Sequence, residues 1–483
     1  MARTLLPHPR DVALGELLRS VRDLILGRRP RRLILAEKAV RYESLWRAQR
    51  SKDLLSRGDP VGAALEAREI ERIDPRNKAA PGLGMAAGWS KGIRGRATNS
   101  LDPADIAAAQ DQLRAEGHAR PVIMLYHQVS PESPYQPLLY RQAWAHGIAP
   151  IPLHHLADLA RIDRAIGPDA GRILHLHWVN RVLAGTADVE EAQGRLRAAI
   201  AMLDDATRSG WNIVWTVHNI LPHDAVLPAE EAVLRQAIAD RAALVHVITR
   251  STVELAAPLY RIPPERTIHV PLPSFRGAYA DVVNRSAARY ALDLPGDARV
   301  VSLLGGLRPY KGLDLLLDAF AIAVEERPEL HLLIAGAPSR SPGIAEFIDR
   351  AMTQANVHLH ARMIPSDDLQ LFLRASDAVV LPYVRTLNSA LLMLALAFDL
   401  PVIAPDLGGI PETVDPEIAT IFPAGDVEAL AAALGAVRPP SARSAAIARR
   451  ISEEHDADRL SRELMVAVRR VADQETPPDR VSH

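Results

Sequence analysis

The pattern of apolar and polar positions changes rhythm near residue 120. Beyond it, apolar runs of five to seven residues alternate with longer stretches of helical spacing, the sequence signature of parallel sheets with crossover helices. A first block has candidate strands at 121–127, 148–153, 173–179, 212–218, 244–249 and 267–272, and a second has them at 299–305, 331–336, 357–361, 378–383, 401–405 and 419–423. Residues 273–298 join the blocks. The expected fold is α/β, with two Rossmann-like halves facing each other. Ligands of such sheets bind outside the carboxyl ends of the strands, so chemistry is expected on the loops that follow them.

Before residue 100 the pattern is helical. Val12, Leu14, Leu17, Leu18, Val21, Leu24 and Ile25 recur at helix spacing, and Arg28, Arg29, Arg31 and Arg32 follow, which predicts a basic amphipathic helix. Between about 35 and 78, a Gly58-Asp59-Pro60 turn separates two helical stretches and Asp74-Pro75 stops the second. This is one tetratricopeptide-like hairpin, too few copies for a repeat array and better read as an appendage on the main body. Residues 79–100 read as a linker. The organisation predicted is a helical basic extension at 1–100, a first Rossmann-like lobe at 101–280, a second at 281–440, and C-terminal helices at 441–483 able to cross back to the first lobe.

Charge sharpens that division. The net charge of −1 conceals 21 Lys and Arg against 11 Asp and Glu in residues 1–100, with the reverse excess in the remainder. The basic end fits either a solvated helical surface or peripheral contact with an anionic membrane or lipid-linked substrate; nucleic acid is not an expected partner. With no cysteine, disulfides, thiolate metal sites and cysteine nucleophiles are excluded. No apolar run reaches the ~20 residues that span a bilayer, and Arg19, Arg22 and Asp23 interrupt any signal-peptide core. The expected location is cytoplasmic, or peripheral on the inner face of the membrane.

The strongest chemical signal follows the first strand of the second block. Gly305-Gly306 ends an apolar run, and the loop then delivers Arg308 and Lys311 before an amphipathic helix. Glycines let backbone approach an anion, the helix N-terminus adds free N–H groups, and two cations neutralise a departing diphosphate. A second loop runs from Tyr383 through Arg385 to Asn388-Ser389, either of which could cap the helix that follows and face the same phosphates. Glu412, after Gly408-Gly409, could address a donor sugar or belong to a structural turn.

In the first block, His177 and Asn180 end one apolar run, and His218, Asn219, His223 and Asp224 end another. Repeated polar residues at successive strand ends point to the cleft. Asp456-Ala457-Asp458 imitates a paired-carboxylate metal site but lies in a helical stretch rather than at a strand end, so it is discounted as one; no cofactor is expected.

Taken in order, LHLHWVN, TVHN with PHD, GGLRPYKG, VLPY with NS, and PVIAPDLGGIPE resemble the GT-B glycosyltransferases of bacterial exopolysaccharide assembly, over roughly residues 121–435. Within that class the sequence is most similar to xanthan-type β-mannosyltransferases, which move mannose from GDP-mannose to a polyprenyl-diphosphate-linked oligosaccharide. Retaining members of the fold carry two glutamates eight positions apart, and alignment on Pro401 puts Thr386 and Leu394 there. The mannosyltransferase-like group shares that departure, with Asn-Ser-Gly at this place; here the glycine is Ala390.

The resemblance implies a nucleotide-sugar donor, GDP- or UDP-linked, a glycan or lipid-linked glycan acceptor, no obligatory metal, and inversion. Inversion needs a base on the acceptor side, for which Asp224 is the first candidate and His218 the second, with His177, Asn180 and His223 on the acceptor side. Gly305, Gly306, Arg308, Lys311, Tyr383, Arg385, Asn388, Ser389 and Glu412 fall on the donor side. The rival readings are an inactive scaffold of a polysaccharide-assembly complex and a different sugar-nucleotide enzyme on the same fold.

Overall fold

A computed structural model describes residues 101–130 and 133–474. The basic amphipathic segment at 11–26, the hairpin at 35–78 and the linker at 79–100 lie outside these residues.

The expected strands all occur, sorted into two parallel sheets of six. The first sheet comprises β1 (Val122–His127), β2 (Ile148–Leu153), β3 (Gly171–Leu176), β4 (Asn212–Val217), β5 (Ala242–Val247) and β6 (Thr267–His269), in the order β2-β1-β3-β4-β5-β6. The second comprises β7 (Arg299–Leu304), β8 (Leu330–Ala335), β9 (Val357–His360), β10 (Ala378–Val380), β11 (Val402–Pro405) and β12 (Ala419–Phe422), in the order β12-β11-β10-β7-β8-β9. Helices cover both faces, so the inner strands are buried throughout and read as continuous rather than alternating apolar runs.

Several strands stop short of their apolar runs for local reasons. After β3 the backbone leaves the sheet at Trp178 (φ −43°, ψ 84°) and turns through the 3-10 segment Val179–Val182, which lifts Asn180 to the rim. β10 ends at Val380, just before Pro382, which has no N–H to continue a ladder.

The helix Ala457–Asp473 returns to the first sheet. Leu460, Leu464, Met465 and Val468 form its buried stripe, each contributing about 1.5–3 kcal/mol of apolar burial. Ser461 Oγ donates to the Leu139 carbonyl at 2.7 Å and Arg469 Nη1 to that of Arg120 at 2.9 Å. Asp456 caps this helix through the Arg459 N–H, and Asp458 pairs with Arg141 at 3.0 Å. The apparent carboxylate pair is thus a cap and an ion pair.

A clamp joins the lobes through the loops that follow β5 and β11. The Glu412 carboxylate accepts from Arg250 N–H (2.7 Å), Ser251 N–H (3.0 Å) and Ser251 Oγ (2.5 Å). Beside it, a Cβ on Gly409 would lie 1.9 Å from Thr249 Cγ2, so only glycine lets the lobes approach this closely.

Candidate active site

On the second lobe the strand order reverses between β7 and β10, since β8 and β9 lie to one side and β11 and β12 to the other. The loops after β7 and β10 therefore emerge together at a topological switch point. Gly305 leaves β7 with φ +93°, and a Cβ there would sit 2.9 Å from the Lys311 ammonium. The left-handed backbone favours glycine at this position, and the missing Cβ also leaves room for the cation.

Lys311 closes the 3-10 turn Pro309–Lys311 and is 8% exposed. Its Nζ donates to the Leu304 carbonyl at 3.2 Å and lies 5.9 Å from the centre of the Tyr383 ring. Burial, reinforced by the charge of Arg308, pulls its pKa down to about 8. Arg308 is exposed and has no hydrogen-bond or ion-pair partner among the described residues. The helix Leu313–Glu326 then starts at Gly312 with no side-chain cap, leaving first-turn N–H groups without a capping side chain; its one first-turn acid, Asp314, is paired with Arg350 at 2.9 Å.

The second loop resolves the choice of cap. Ser389 Oγ accepts from Leu392 N–H at 3.2 Å and opens the helix Ala390–Ala397, which is apolar all round and buried along most of its length. Asn388 does something else: its Nδ2 donates across the lobes to the His218 carbonyl at 3.0 Å.

Opposite stands the first lobe. His218 follows β4, with Trp178 stacked on it at 4.0 Å and Tyr135 set edge-on at 5.3 Å. His223 stacks on Tyr310 of the second lobe, ring centres 3.9 Å apart and planes 12° from parallel, so an aromatic pair spans the cleft. Burial lowers the His223 pKa against the opposing pull of Asp224, with Arg385 and Arg308 adding to the depression. The Asp224 carboxylate is exposed in the cleft wall, with no hydrogen-bond or ion-pair partner among the described residues.

Between the walls lies a cleft of about 700 Å³ lined by Asn180, His218, His223, Asp224, Arg308 and Asn388, among others. An adjoining hollow of about 330 Å³ is lined by Gly305, Lys311, Tyr383, Asn388 and Ser389. Eleven of the sequence-chosen residues, Asn219 among them, line one or both hollows. Four do not.

His177 is 1% exposed and sits behind His218, bonded to it rather than facing the cleft. Glu412, expected on the donor side, lines neither hollow, because three donors from the other lobe occupy its carboxylate. Arg385 is exposed outside both, near enough to His223 to act by charge alone. Gly306 borders Arg308, where a Cβ would meet only ordinary contacts at 3.7 Å and beyond, so packing does not demand glycine.

Sequence reasoning passed over Tyr310, Trp178, Tyr135 and Phe275, all of which line the cleft. Tyr310 lies between Arg308 and Lys311 in the same motif, and an aromatic between two cations was the available signal.

The arrangement can hold a dianion at Arg308, Lys311 and the two helix starts, seat a flat or polyhydroxylated group against Tyr310 and Trp178, and offer Asp224 and His218 as proton acceptors opposite the cations. No helix among the described residues is long and apolar enough to cross a membrane.

Comparisons with known proteins bear on the fold and on the domain that carries these loops. Residues 298–437 match the family model "Glycosyl transferases group 1". The GDP-mannose:glycolipid 4-beta-D-mannosyltransferase of Xanthomonas campestris pv. campestris is 29% identical over 236 residues, 48% of this chain and 61% of that protein. The D-inositol 3-phosphate glycosyltransferase of Jonesia denitrificans is 28% identical over 224 residues, 42% of this chain and 53% of that protein. The chain thus spans a little over half the length of these curated relatives. Among solved structures, Anabaena Alr3699/HepE in complex with UDP aligns at TM-score 0.53 and 13% identity, covering 72% of this chain and 99% of that one. Sucrose-phosphate synthase from Thermosynechococcus elongatus aligns at TM-score 0.56 and 16% identity, covering 73% and 99%. At such identities these two show the fold, which is GT-B.

Proposed function

We propose that this chain, which carries a group 1 glycosyltransferase domain within a GT-B fold, transfers a sugar from a nucleotide-sugar donor to a glycan or lipid-linked glycan, with inversion. GDP-mannose is the donor we favour, on the likeness to the Xanthomonas mannosyltransferase. The observation that carries the reading is the pairing at the β7/β10 switch point of Arg308, which has no partner among the described residues, with a buried Lys311, facing Asp224 across the cleft. These cations and the two helix starts take up the charge of the departing diphosphate. Asp224 takes the proton of the attacking hydroxyl. It suits that task better than His218, since protonating a ring as buried as His218 would place a cation in a poorly solvated site. The basic residues 1–100 would hold the chain at an anionic lipid surface carrying the acceptor.

The test is the thermal shift of the purified protein with GDP, UDP, ADP, dTDP and their sugar conjugates. A ligand at 100 times its Kd stabilises by about 2.7 kcal/mol. GDP or GDP-mannose should shift the transition selectively, and Lys311→Ala should abolish that shift while lowering kcat/KM by roughly 10²- to 10³-fold. Normal turnover by Lys311→Ala would remove the phosphate-site assignment, and a folded protein unmoved by every nucleotide would favour a scaffold.

A further inference from the structure

Behind His218 a single line of hydrogen bonds runs into the first lobe. His218 Nε2 meets His177 Nδ1 at 2.9 Å, and His177 Nε2 meets Tyr140 Oη at 2.5 Å. Tyr140 Oη meets His175 Nδ1 at 2.9 Å, and His175 Nε2 meets Thr216 Oγ1 at 2.8 Å. Thr216 Oγ1 meets His246 Nδ1 at 3.0 Å, and His246 Nε2 ends the line on the Val270 carbonyl at 2.7 Å. Strand geometry builds it: His175 and His177 project to one side of the β3 line, Thr216 and His218 follow on β4 and His246 on β5, the adjacent strands. Every member is at least nine-tenths buried.

The direction of this line is determined at its far end. A carbonyl only accepts, so His246 carries its hydrogen on Nε2 and presents a lone pair at Nδ1. Thr216 must then donate to His246 and accept from His175 Nε2–H, which leaves a lone pair on His175 Nδ1. Tyr140 donates to that lone pair and accepts from His177 Nε2–H, and His177 Nδ1 accepts from His218 Nε2–H. Six links use the six hydrogens of four neutral imidazoles and two hydroxyls. Moving the His218 hydrogen to Nδ1 would leave some buried link with two lone pairs facing each other.

We infer that this chain of Val270, His246, Thr216, His175, Tyr140 and His177 locks His218 as its Nε2–H tautomer, so that Nδ1 is an obligatory hydrogen-bond acceptor for a sugar hydroxyl in the cleft. Burial, with the neighbouring histidines, holds His175, His177 and His218 well below the usual imidazole range, and burial likewise brings His246 to about 4, so all four are neutral near pH 7. His218 lines the cleft, and its Nδ1 has no partner among the described residues. The members behind it are positioning residues: they never touch a ligand, and they act by fixing which nitrogen of His218 can. Discrimination follows, because a hydroxyl can donate to Nδ1 whereas a position lacking one leaves the lone pair unanswered. This rests on the transferase reading only for the hydroxyl's identity, not for the tautomer.

Thr216→Val, with Thr216→Ser as its conservative partner, is the test. Removing Oγ1 leaves four hydrogens for the three links from His218 to His175, so the line can run either way. In ¹⁵N-histidine-labelled protein without ligand, the wild type and Thr216→Ser should show His218 with a protonated Nε2 and a bare Nδ1. Thr216→Val should show both tautomers of His218. With GDP-mannose, Thr216→Val should lose roughly 10-fold in kcat/KM or more, restored by Thr216→Ser. A loss shared by donor hydrolysis without acceptor assigns the hydroxyl to the donor sugar, and a loss confined to transfer assigns it to the acceptor. A wild-type His218 protonated at Nδ1, or a Thr216→Val protein with one unchanged tautomer, overturns the inference. Absence of turnover with any nucleotide sugar bears on the transferase reading alone, because the nitrogen resonances are read without it.

Discussion

The two walls of the cleft are polar in opposite ways. On the first lobe, the hydrogens of the histidine line are taken up within it, so that wall presents a lone pair at His218 and the carboxylate of Asp224, which has no partner among the described residues. On the second lobe, Arg308 has no partner among the described residues, and the Lys311 ammonium has one carbonyl for its three hydrogens. One wall accepts and the other donates positive charge. A group with an anion at one end and hydroxyls at the other fits across them in one orientation only, and the contrast itself is the argument for a sugar diphosphate.

The most damaging way to break that contrast is to remove the proposed base, Asp224, while sparing the cations. Asp224→Asn keeps shape and should lower kcat by roughly 10²- to 10⁴-fold, with the thermal shift by GDP unchanged. A loss of nucleotide binding instead would put Asp224 in the donor site. Retained turnover would return His218 to the role of base.

A smaller effect comes from titrating the opposite wall. Lys311 is held at about 8, below the ~10.4 of an ordinary lysine, so between these values the folded protein has released a proton that the unfolded chain keeps. The cost of burying this charge is therefore present below pH 8 and is relieved as pH rises toward 10.4. Donor capture should change in the other direction, because the charge proposed to receive the diphosphate disappears. The donor kcat/KM should fall by up to about tenfold per pH unit above 8, while kcat holds to higher pH because a bound diphosphate raises the lysine's pKa. A kcat/KM profile level to about pH 9.5 would show that this charge does not receive the donor.

What the sequence disclosed divides along the same line. Strands buried on both faces announce themselves as continuous apolar runs, and the cation loop is local: Gly305, Arg308 and Lys311 fall within seven residues. The rest depends on neighbours remote in the chain. Period-two spacing places His175 and His177 together, but only the strand order β3-β4-β5 reveals that Thr216 and His246 continue their line. Asn388 and Ser389 are equivalent as caps on paper, and the partner that separates them is the His218 carbonyl, 170 positions away. Glu412 was drawn toward the donor by its position after a glycine turn, whereas its partners are Arg250 and Ser251.

That last residue supplies the mildest test and the sharpest boundary for the donor wall. Burial alone would raise the Glu412 pKa, but the hydrogen bonds from Ser251 and from the backbone of Ser251 and Arg250 outweigh it and hold the carboxyl below its usual range. The clamp is thus intact above the unfolded carboxylate pKa of ~4.3 and is lost as pH falls through the lower folded value. Glu412→Gln replaces one acceptor oxygen by an amide that faces N–H groups, at a cost of about 1–3 kcal/mol. Melting near pH 7 should drop by roughly 1–4 °C, with faster amide exchange at Arg250 and Ser251, and the difference from wild type should shrink as pH falls through the lowered folded value of the carboxyl. Because Glu412 lines neither hollow, the donor KM should move by less than about 3-fold, well under the ~10-fold that 1.4 kcal/mol of lost binding produces. A larger rise in donor KM with unchanged melting would bring Glu412 back into the donor wall, and the contrast between an open cationic site and a closed interlobe clamp would fail there.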